Sequence, residues 1–225
     1  MSTLAEIEAA VVGCRRCPRL VAWREEVART KRRAFANETY WGKPIPAFGS
    51  ADARLVVVGL APAAHGGNRT GRMFTGDRSG DWLYAAMHAH GFANQPTSVR
   101  RGDGLELKDA FITAGARCAP PDNKPTREEF ANCRPWMVDE LALLGRMKVV
   151  VALGGLAWTE FLLAWKALQG ELPRPLPKFG HGAEVALGDF TLLGSYHPSQ
   201  QNTSTGRLTR PMLEGIFARA RRLLD

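Results

Sequence analysis

The sequence predicts an α/β protein in which helices alternate with the strands of a mostly parallel sheet. Two observations predict this class. Four short apolar runs recur along the chain, at 54–60, 110–116, 148–155 and 190–196. Runs that are apolar on both faces are typical of buried parallel strands, and helical patterns separate these runs, as βαβ units require. The 225 residues suit one domain that spans 1–225.

The predicted helices begin at recognisable caps. Thr3 and Glu6 have the spacing of a capping box and open a short N-terminal helix that stops at Gly13. Thr126 and Glu129 repeat this pair before a long helix. We therefore predict helices over 3–13, 81–90, 126–144, 155–168 and from about 209 to 224.

Turn residues mark the rest of the organisation. Gly188 and Asp189 separate two apolar segments as a two-residue hairpin turn does, so we expect a small antiparallel hairpin at the sheet. The proline-rich segment 172–180 is predicted to be a loop within the domain.

The charge of the chain favours a polyanionic partner such as nucleic acid. Lys and Arg number 30 against 22 Asp and Glu, which gives a formal charge of +8. The first ten residues lack the basic and apolar parts of a signal peptide, and no run approaches the ~18 apolar residues of a membrane span. We therefore expect a cytoplasmic protein with no membrane partner.

Four cysteines indicate one tetrahedral metal site: Cys14 and Cys17 in "CRRCP", then Cys118 and Cys133. Two disulfides are the rival interpretation, but nothing in the sequence routes the chain to an oxidising compartment. Four unrelated buried thiols are the other alternative. Both zinc and an iron-sulfur cluster accept four cysteines, and the wide spacing of the second pair favours the cluster over zinc. Because the site would clip the N-terminus to distant loops, we expect it to be structural.

Three polar loops follow predicted strands, where ligands bind in open α/β sheets. The first, "GLAPAAHGGNRTGRMFTGD" at 59–77, has five glycines but lacks the lysine and the spacing of a P-loop. It carries Phe74 and Asp77 just before a helix, and the simplest interpretation of these two is a core residue and a helix cap. The second loop is "CAPPDNKPT" at 118–126, and the third is "HPSQQNTSTGRLT" at 197–209.

These three loops and the order of the four cysteines resemble the uracil-DNA glycosylase superfamily, and within it the family 5 (type b) enzymes, over nearly the whole chain. The fold that this resemblance implies is a three-layer α/β/α sandwich with a mainly parallel, four-stranded central sheet. The resemblance implies excision of damaged bases from single- or double-stranded DNA and a [4Fe-4S] cluster on Cys14, Cys17, Cys118 and Cys133. It implies that a monomer flips its target base into a pocket, which costs a few kcal/mol of unstacking.

The resemblance also implies roles for individual residues. His197 would donate to the departing base, where negative charge develops. Phe74 would stack on the flipped ring, and Gly59 and Ala61 would line the pocket. DNA contacts are expected from residues of the first and third loops, namely Arg69, Arg72, Ser199, Gln200, Gln201, Asn202 and Arg207.

Two positions depart from the related family 4 pattern. Leu60 stands where those enzymes have a water-activating glutamate, and Ala114 stands where they have a base-reading asparagine. The first change leaves Asp77, or Asn123 across the pocket, to orient water or to stabilise a cationic sugar. Because an apolar pocket discriminates weakly, we expect release of uracil and of deaminated purines, hypoxanthine above all.

Two other classes of function fit parts of the sequence. A basic, metal-stapled domain would also serve as a DNA-binding regulator or damage sensor, which would bind without releasing a base. A small redox protein would use the cluster for electron transfer, but the chain has no nucleotide or flavin fingerprint.

Overall fold

Six strands form one mixed sheet in the computed structural model, which describes residues 3–225. They are β1 (Phe48–Gly49), β2 (Leu55–Gly59), β3 (Ala110–Ala114), β4 (Val149–Leu153), β5 (Glu184–Leu187) and β6 (Phe190–Ser195). Their spatial order is β1-β3-β2-β4-β6-β5.

The four central strands are those that the apolar runs predict. β2 pairs in parallel with β3 and β4, and β4 pairs in parallel with β6. Every residue of β2, β3 and β4 is buried. This burial explains why these runs are apolar without alternation, since both of their faces are covered.

The two edge strands are antiparallel: β5 is the hairpin partner that the sequence analysis expected beside the four central strands, and β1 is an additional strand. The hairpin prediction is confirmed: Leu187 pairs with Phe190, and Gly188 turns with φ +61°. Strand β1 was not predicted, because two residues carry no periodicity. Its Gly49 lies so close to the β3 backbone, with φ +130°, that a Cβ atom would overlap it.

The helices that the sequence analysis predicted are present with small shifts of their ends. They are α1 (Leu4–Val12), α4 (Arg78–Ala89), α5 (Arg127–Leu143), α6 (Gly155–Gln169) and α8 (Arg210–Leu224). Both predicted capping boxes form, at Thr3 with Glu6 and at Thr126 with Glu129.

Three further helices were not predicted: α2 (Pro18–Thr30), α3 (Gly67–Thr70) and α7 (Gln200–Ser204). Helix α2 begins at Pro18, a residue type that is favoured at the first position of a helix, and it buries Leu20, Val21 and Val27. Helix α7 lies inside the third polar loop, where the Ser199 side chain accepts from the Asn202 amide at its start. Two 3₁₀ turns, Arg33–Phe35 and Pro121–Asn123, complete the described segments.

The helices form the two outer layers of the predicted sandwich. On one face α4 and α8 pack together and bury Leu83, Tyr84 and Phe217 against the sheet. On the other face α5 and α6 pack together and bury Met137 and Phe161, and α1 lies on α5. Among residues 3–225, each helix is too short or too polar to cross a bilayer.

Candidate active site

A cleft of about 600 Å³ opens at the carboxyl ends of β2, β3 and β6. This is the edge of a parallel sheet at which ligands bind, because the loops that leave the strands converge there. Ten of the predicted site residues line it, namely Gly59, Ala61, Phe74, Asp77, Ala114, Asn123, His197, Ser199, Gln200 and Gln201.

Phe74 forms one wall of the cleft in an unusual backbone conformation. Its φ is +50°, a region that costs a non-glycine residue about 1–3 kcal/mol. Two glycines make room for it. A Cβ atom on Gly59 would lie 2.8 Å from the Phe74 ring, and one on Gly80 would overlap the Phe74 carbonyl oxygen. The Phe74 ring is thus held against the end of β2.

His197 faces this wall from the end of β6. The centroids of the His197 and Phe74 rings are 5.9 Å apart, and the ring planes are inclined by 32°. Asn202 Nδ2 donates to the His197 carbonyl oxygen at 2.9 Å and so holds the strand end. Burial lowers the pKa of His197 to about 4. The imidazole is therefore neutral at pH 7 and carries one N–H donor.

Asp77 caps α4 from the same wall. Its Oδ1 accepts from the Gly80 amide at 3.0 Å, and its Oδ2 lies against Gly66, where a Cβ atom would overlap it. Burial raises the pKa of the Asp77 carboxyl, and the amides of Gly80 and Ser79 oppose that shift. A half-buried carboxylate at a helix start has few water contacts, which strengthens its interaction with a positive charge in the cleft.

The floor of the cleft is apolar. Leu60 and Ala61 follow β2, and Ala114 is buried at the end of β3. Asn123 lines the cleft from the Pro121–Asn123 turn, with φ +56° and an exposed side chain. Its amide is therefore accessible to a molecule in the cleft.

The third polar loop forms the remaining rim. Gln200 and Gln201 are exposed in the first turn of α7, and Ser199 caps that helix. Arg207 is exposed outside the cleft, and its guanidinium lies 4.7 Å from the centre of the Tyr196 ring. Polar side chains thus surround the opening on the side of β6.

Arg69 and Arg72, which the sequence analysis expected at DNA, do not line the cleft. Both are buried. Arg69 donates to Glu38 at 2.5 Å and to the carbonyl oxygens of His65 and Gly76 at 2.8 Å each. Arg72 is bound to Asp103 at 2.8 Å. Their donors are satisfied within the protein, so both serve to hold the loop between β2 and α4.

Four polar residues of the cleft were missed by the sequence analysis: Arg78, Ser79, Asp122 and Lys124. They adjoin residues that were predicted, since Arg78 and Ser79 follow Asp77, and Asp122 and Lys124 flank Asn123. Residues next to a site residue in the first turn of a helix, or in a tight turn, lie close to the same cleft. Adjacency to a predicted residue was therefore the sequence signal that could have identified them.

All four cysteines line a second, smaller cavity between α2, α5 and the end of β3. They are free thiols, so no disulfide competes for them. Arg24 Nη1 donates to Cys118 Sγ at 2.9 Å. Within residues 3–225, no three or more His, Cys, Asp or Glu side chains converge as the ligands of a single metal ion.

Two buried arginines line the same cavity, Arg24 and Arg117. Among residues 3–225, Arg24 Nε and Arg117 Nε and Nη1 have no hydrogen-bond acceptor. A buried N–H without an acceptor is costly, so these donors are suited to an acceptor that occupies the cavity.

Comparisons with known proteins identify relatives over nearly the whole chain. The family model described as the Uracil DNA glycosylase superfamily matches residues 46–221. The chain is 54% identical to the Type-5 uracil-DNA glycosylase of Mycobacterium tuberculosis, over 98% of this chain and 82% of the relative. It is 53% identical to that of Mycobacterium leprae, over 98% and 96%. It is 51% identical to that of Thermus thermophilus, over 95% and 94%.

Proposed function

Because this chain belongs to the uracil-DNA glycosylase superfamily, we propose that it hydrolyses the N-glycosidic bond of uracil in DNA and leaves an abasic site. One observation supports this most directly. An aromatic ring, Phe74, and a neutral imidazole, His197, face each other in one cleft that the Asp77 carboxylate also lines. A base that flips out of the duplex needs these three kinds of contact.

Binding begins with the flipped base against Phe74. Stacking of a base on an aromatic side chain is worth about 1–3 kcal/mol, which offsets part of the cost of unstacking it from DNA. Ala61 and the backbone at Gly59 enclose the base from the side of β2.

Breaking the bond moves negative charge onto the base and positive charge onto the sugar. His197 donates its N–H to the base oxygen, and because this imidazole is already neutral, donation requires no change of protonation. Asp77 stabilises the sugar cation or orients the water that attacks it, and Asn123 is the second residue able to hold that water. The added water supplies the hydroxyl on the sugar and the proton on the base.

The range of substrates follows from the apolar floor. Leu60 and Ala114 offer no hydrogen bond with which to read a base edge. A pocket of this kind separates analogues by only about 10- to 100-fold, so we propose that the enzyme also releases hypoxanthine and other deaminated bases. Mispaired lesions are released faster, because they unpair more easily.

The rim supplies contacts to the DNA around the flipped nucleotide. Ser199, Gln200, Gln201 and Asn202 belong to the segment that continues from His197, and Arg207 follows it. Gln200 and Gln201 are exposed and suited to fill the space that the base vacates, and the Arg207 guanidinium to bind a phosphate. The net charge of +8 favours such binding by a protein that we expect to act as a monomer in the cytoplasm.

We also propose that Cys14, Cys17, Cys118 and Cys133 hold a [4Fe-4S] cluster, with zinc as the alternative. The support is their common cavity and the unpartnered N–H groups of two buried arginines beside it, which suit a group of negative thiolates and sulfides. When bound, the cluster supplies a covalent crosslink between the N-terminal segment and α5, and the chemistry at His197 does not involve it.

The test is incubation with a duplex that contains one uracil, followed by alkali. Strand scission only after alkali is the expected result, and scission without alkali would indicate a lyase. Tight binding without base release would instead identify a non-catalytic damage sensor. Iron and zinc analysis of the same sample tests the metal: about four irons per chain are expected, and stoichiometric zinc would overturn the cluster.

A further inference from the structure

The conformation of Phe74 depends on a buried polar network behind the cleft wall. Met73 and Thr75, the residues on either side of Phe74, are both almost fully buried. The Met73 carbonyl oxygen accepts from Tyr84 Oη at 2.9 Å and from Thr75 Oγ1 at 3.0 Å. Side-chain hydrogen bonds therefore hold the backbone around the left-handed Phe74, whereas backbone hydrogen bonds would hold it in a helix or a strand.

Arg72 connects this turn to a second loop. Its Nε donates to Thr75 Oγ1 at 2.9 Å, and its Nη2 donates to Ser98 Oγ at 3.0 Å and to both carboxylate oxygens of Asp103 at 2.8 Å. Thr75 and Ser98 are in turn hydrogen-bonded at 2.6 Å. Arg72 and Asp103 are about one tenth exposed or less, so the ion pair is shielded from solvent.

Asp103 organises the exposed loop 97–105. Its carboxylate accepts from the amides of Val99 at 2.8 Å, Leu105 at 3.1 Å and Arg100 at 3.2 Å. None of these residues lines the cleft. A loop outside the active site is thus tied, through one ion pair, to both neighbours of the residue that stacks on the base.

We infer that Arg72 and Asp103 are positioning residues, which hold Phe74 in the left-handed conformation that presents its ring to the flipped base. This inference deepens the proposed function and rests on the stacking role of Phe74. If the ion pair is broken, the Arg72 guanidinium is no longer held in the position from which its Nε donates to Thr75. The turn then relaxes toward an unstrained backbone, which swings the ring out of the cleft. The step affected is binding of the flipped base.

The test uses Asp103→Asn, which keeps the size of the side chain, and Arg72→Lys, which keeps the charge but loses the Nε donor. Each variant should raise the enzyme concentration that gives the half-maximal single-turnover rate by about tenfold, because tenfold corresponds to part of the free energy that stacking of a base contributes. The rate at saturating enzyme should change less than about twofold. Duplex affinity from fluorescence anisotropy should weaken in parallel, which gives a readout that does not require base release.

Combination with Phe74→Ala separates positioning from a general loss of structure. If the pair acts through the ring, Asp103→Asn should add nothing to the half-saturation of Phe74→Ala, because the ring is already absent. The inference would be overturned if Asp103→Asn raised the half-saturating concentration equally in the parent and in Phe74→Ala. It would also be overturned if Asp103→Asn and Arg72→Lys each had the half-saturating concentration of the parent. A Phe74→Ala enzyme that binds as well as the parent would overturn the stacking role and the inference together.

Arg54 and Asp109 provide a matched control pair. Arg54 Nε donates to Asp109 Oδ2 at 2.8 Å, and this ion pair lies at the amino ends of β2 and β3, the edge opposite the cleft. Asp109→Asn should lower the urea midpoint while the half-saturation stays as in the parent. A rise in half-saturation equal to that of Asp103→Asn would assign both effects to general destabilisation and overturn the inference.

Discussion

The desolvation of the partly buried His197 imidazole predicts how the stability of the protein depends on pH. In the unfolded chain the imidazole titrates with its ordinary pKa of 6.5, whereas burial lowers the pKa of His197 to about 4 in the folded protein. The unfolded state therefore binds a proton first as the pH falls. The stability that depends on the neutral imidazole is complete above pH 7, is lost as the pH falls from 6.5 to 4, and is constant below 4.

The magnitude follows from these two pKa values. Between pH 7 and pH 5 the parent should lose about 2 kcal/mol of unfolding free energy because of His197. His197→Gln removes the titrating group and should remove that loss. Burial also lowers the pKa of His65 and His181, but both remain in parent and variant, so the difference between the two proteins isolates His197.

Urea denaturation at pH 7 and at pH 5, followed by tryptophan fluorescence, measures this difference. His88→Gln, on the exposed side of α4, controls for the loss of an imidazole as such. If the parent and His197→Gln lose the same free energy between the two pH values, His197 is not desolvated as described. The neutral His197 donor proposed for the cleft would then be refuted as well.

Four further substitutions test other parts of the site. Asp77→Ala should slow the saturating rate of uracil release by about 10²- to 10⁴-fold with little change in duplex affinity, because charge on the sugar appears only in the transition state. Gly59→Ala should raise the half-saturating concentration, because the new Cβ atom would lie 2.8 Å from the Phe74 ring and displace it. Ala114→Asn should shift the ratio of single-turnover rates on matched uracil and hypoxanthine duplexes toward uracil. Cys118→Ser should lower both the iron content and the urea midpoint.

Each of these expectations has a result that contradicts it. Weaker duplex affinity at an unchanged rate would make Asp77 a binding residue. Parent-like kinetics of Gly59→Ala would mean that the Phe74 ring has room to move. An unchanged ratio in Ala114→Asn would assign selectivity to another part of the pocket, and full stability of Cys118→Ser without iron would remove the structural role of the cluster.

The central sheet could be predicted because its signals are local. Runs such as 54–60 and 148–155 are continuous and apolar, and Gly188 with Asp189 is a turn that two residues suffice to specify. Strand β1 and helix α7 escaped prediction for the opposite reason. Strand β1 has two residues, and the five residues of α7 are all polar, so neither has the periodic burial from which elements are recognised.

The composition of the cleft followed from the resemblance, but the partners of charged residues did not. Arg69 and Arg72 lie in the glycine-rich first polar loop, from which DNA contacts were expected. Their carboxylates, Glu38 and Asp103, are about 30 residues away in opposite directions along the chain. Only the tertiary structure brings such pairs together, since sequence patterns report neighbours within a few turns.

The cysteine cavity joins segments that leave the ribosome at very different times. Cys14 and Cys17 emerge first, whereas Cys118 and Cys133 follow about a hundred residues later, when β2 and β3 have already been made. Until then α1 has no α5 to pack against, and the Cys14 and Cys17 thiols have no partner cysteines in the nascent chain. The N-terminal segment, although synthesised first, can therefore be fixed only after α5 has been made, because closing this long loop needs residues about a hundred positions further along the chain.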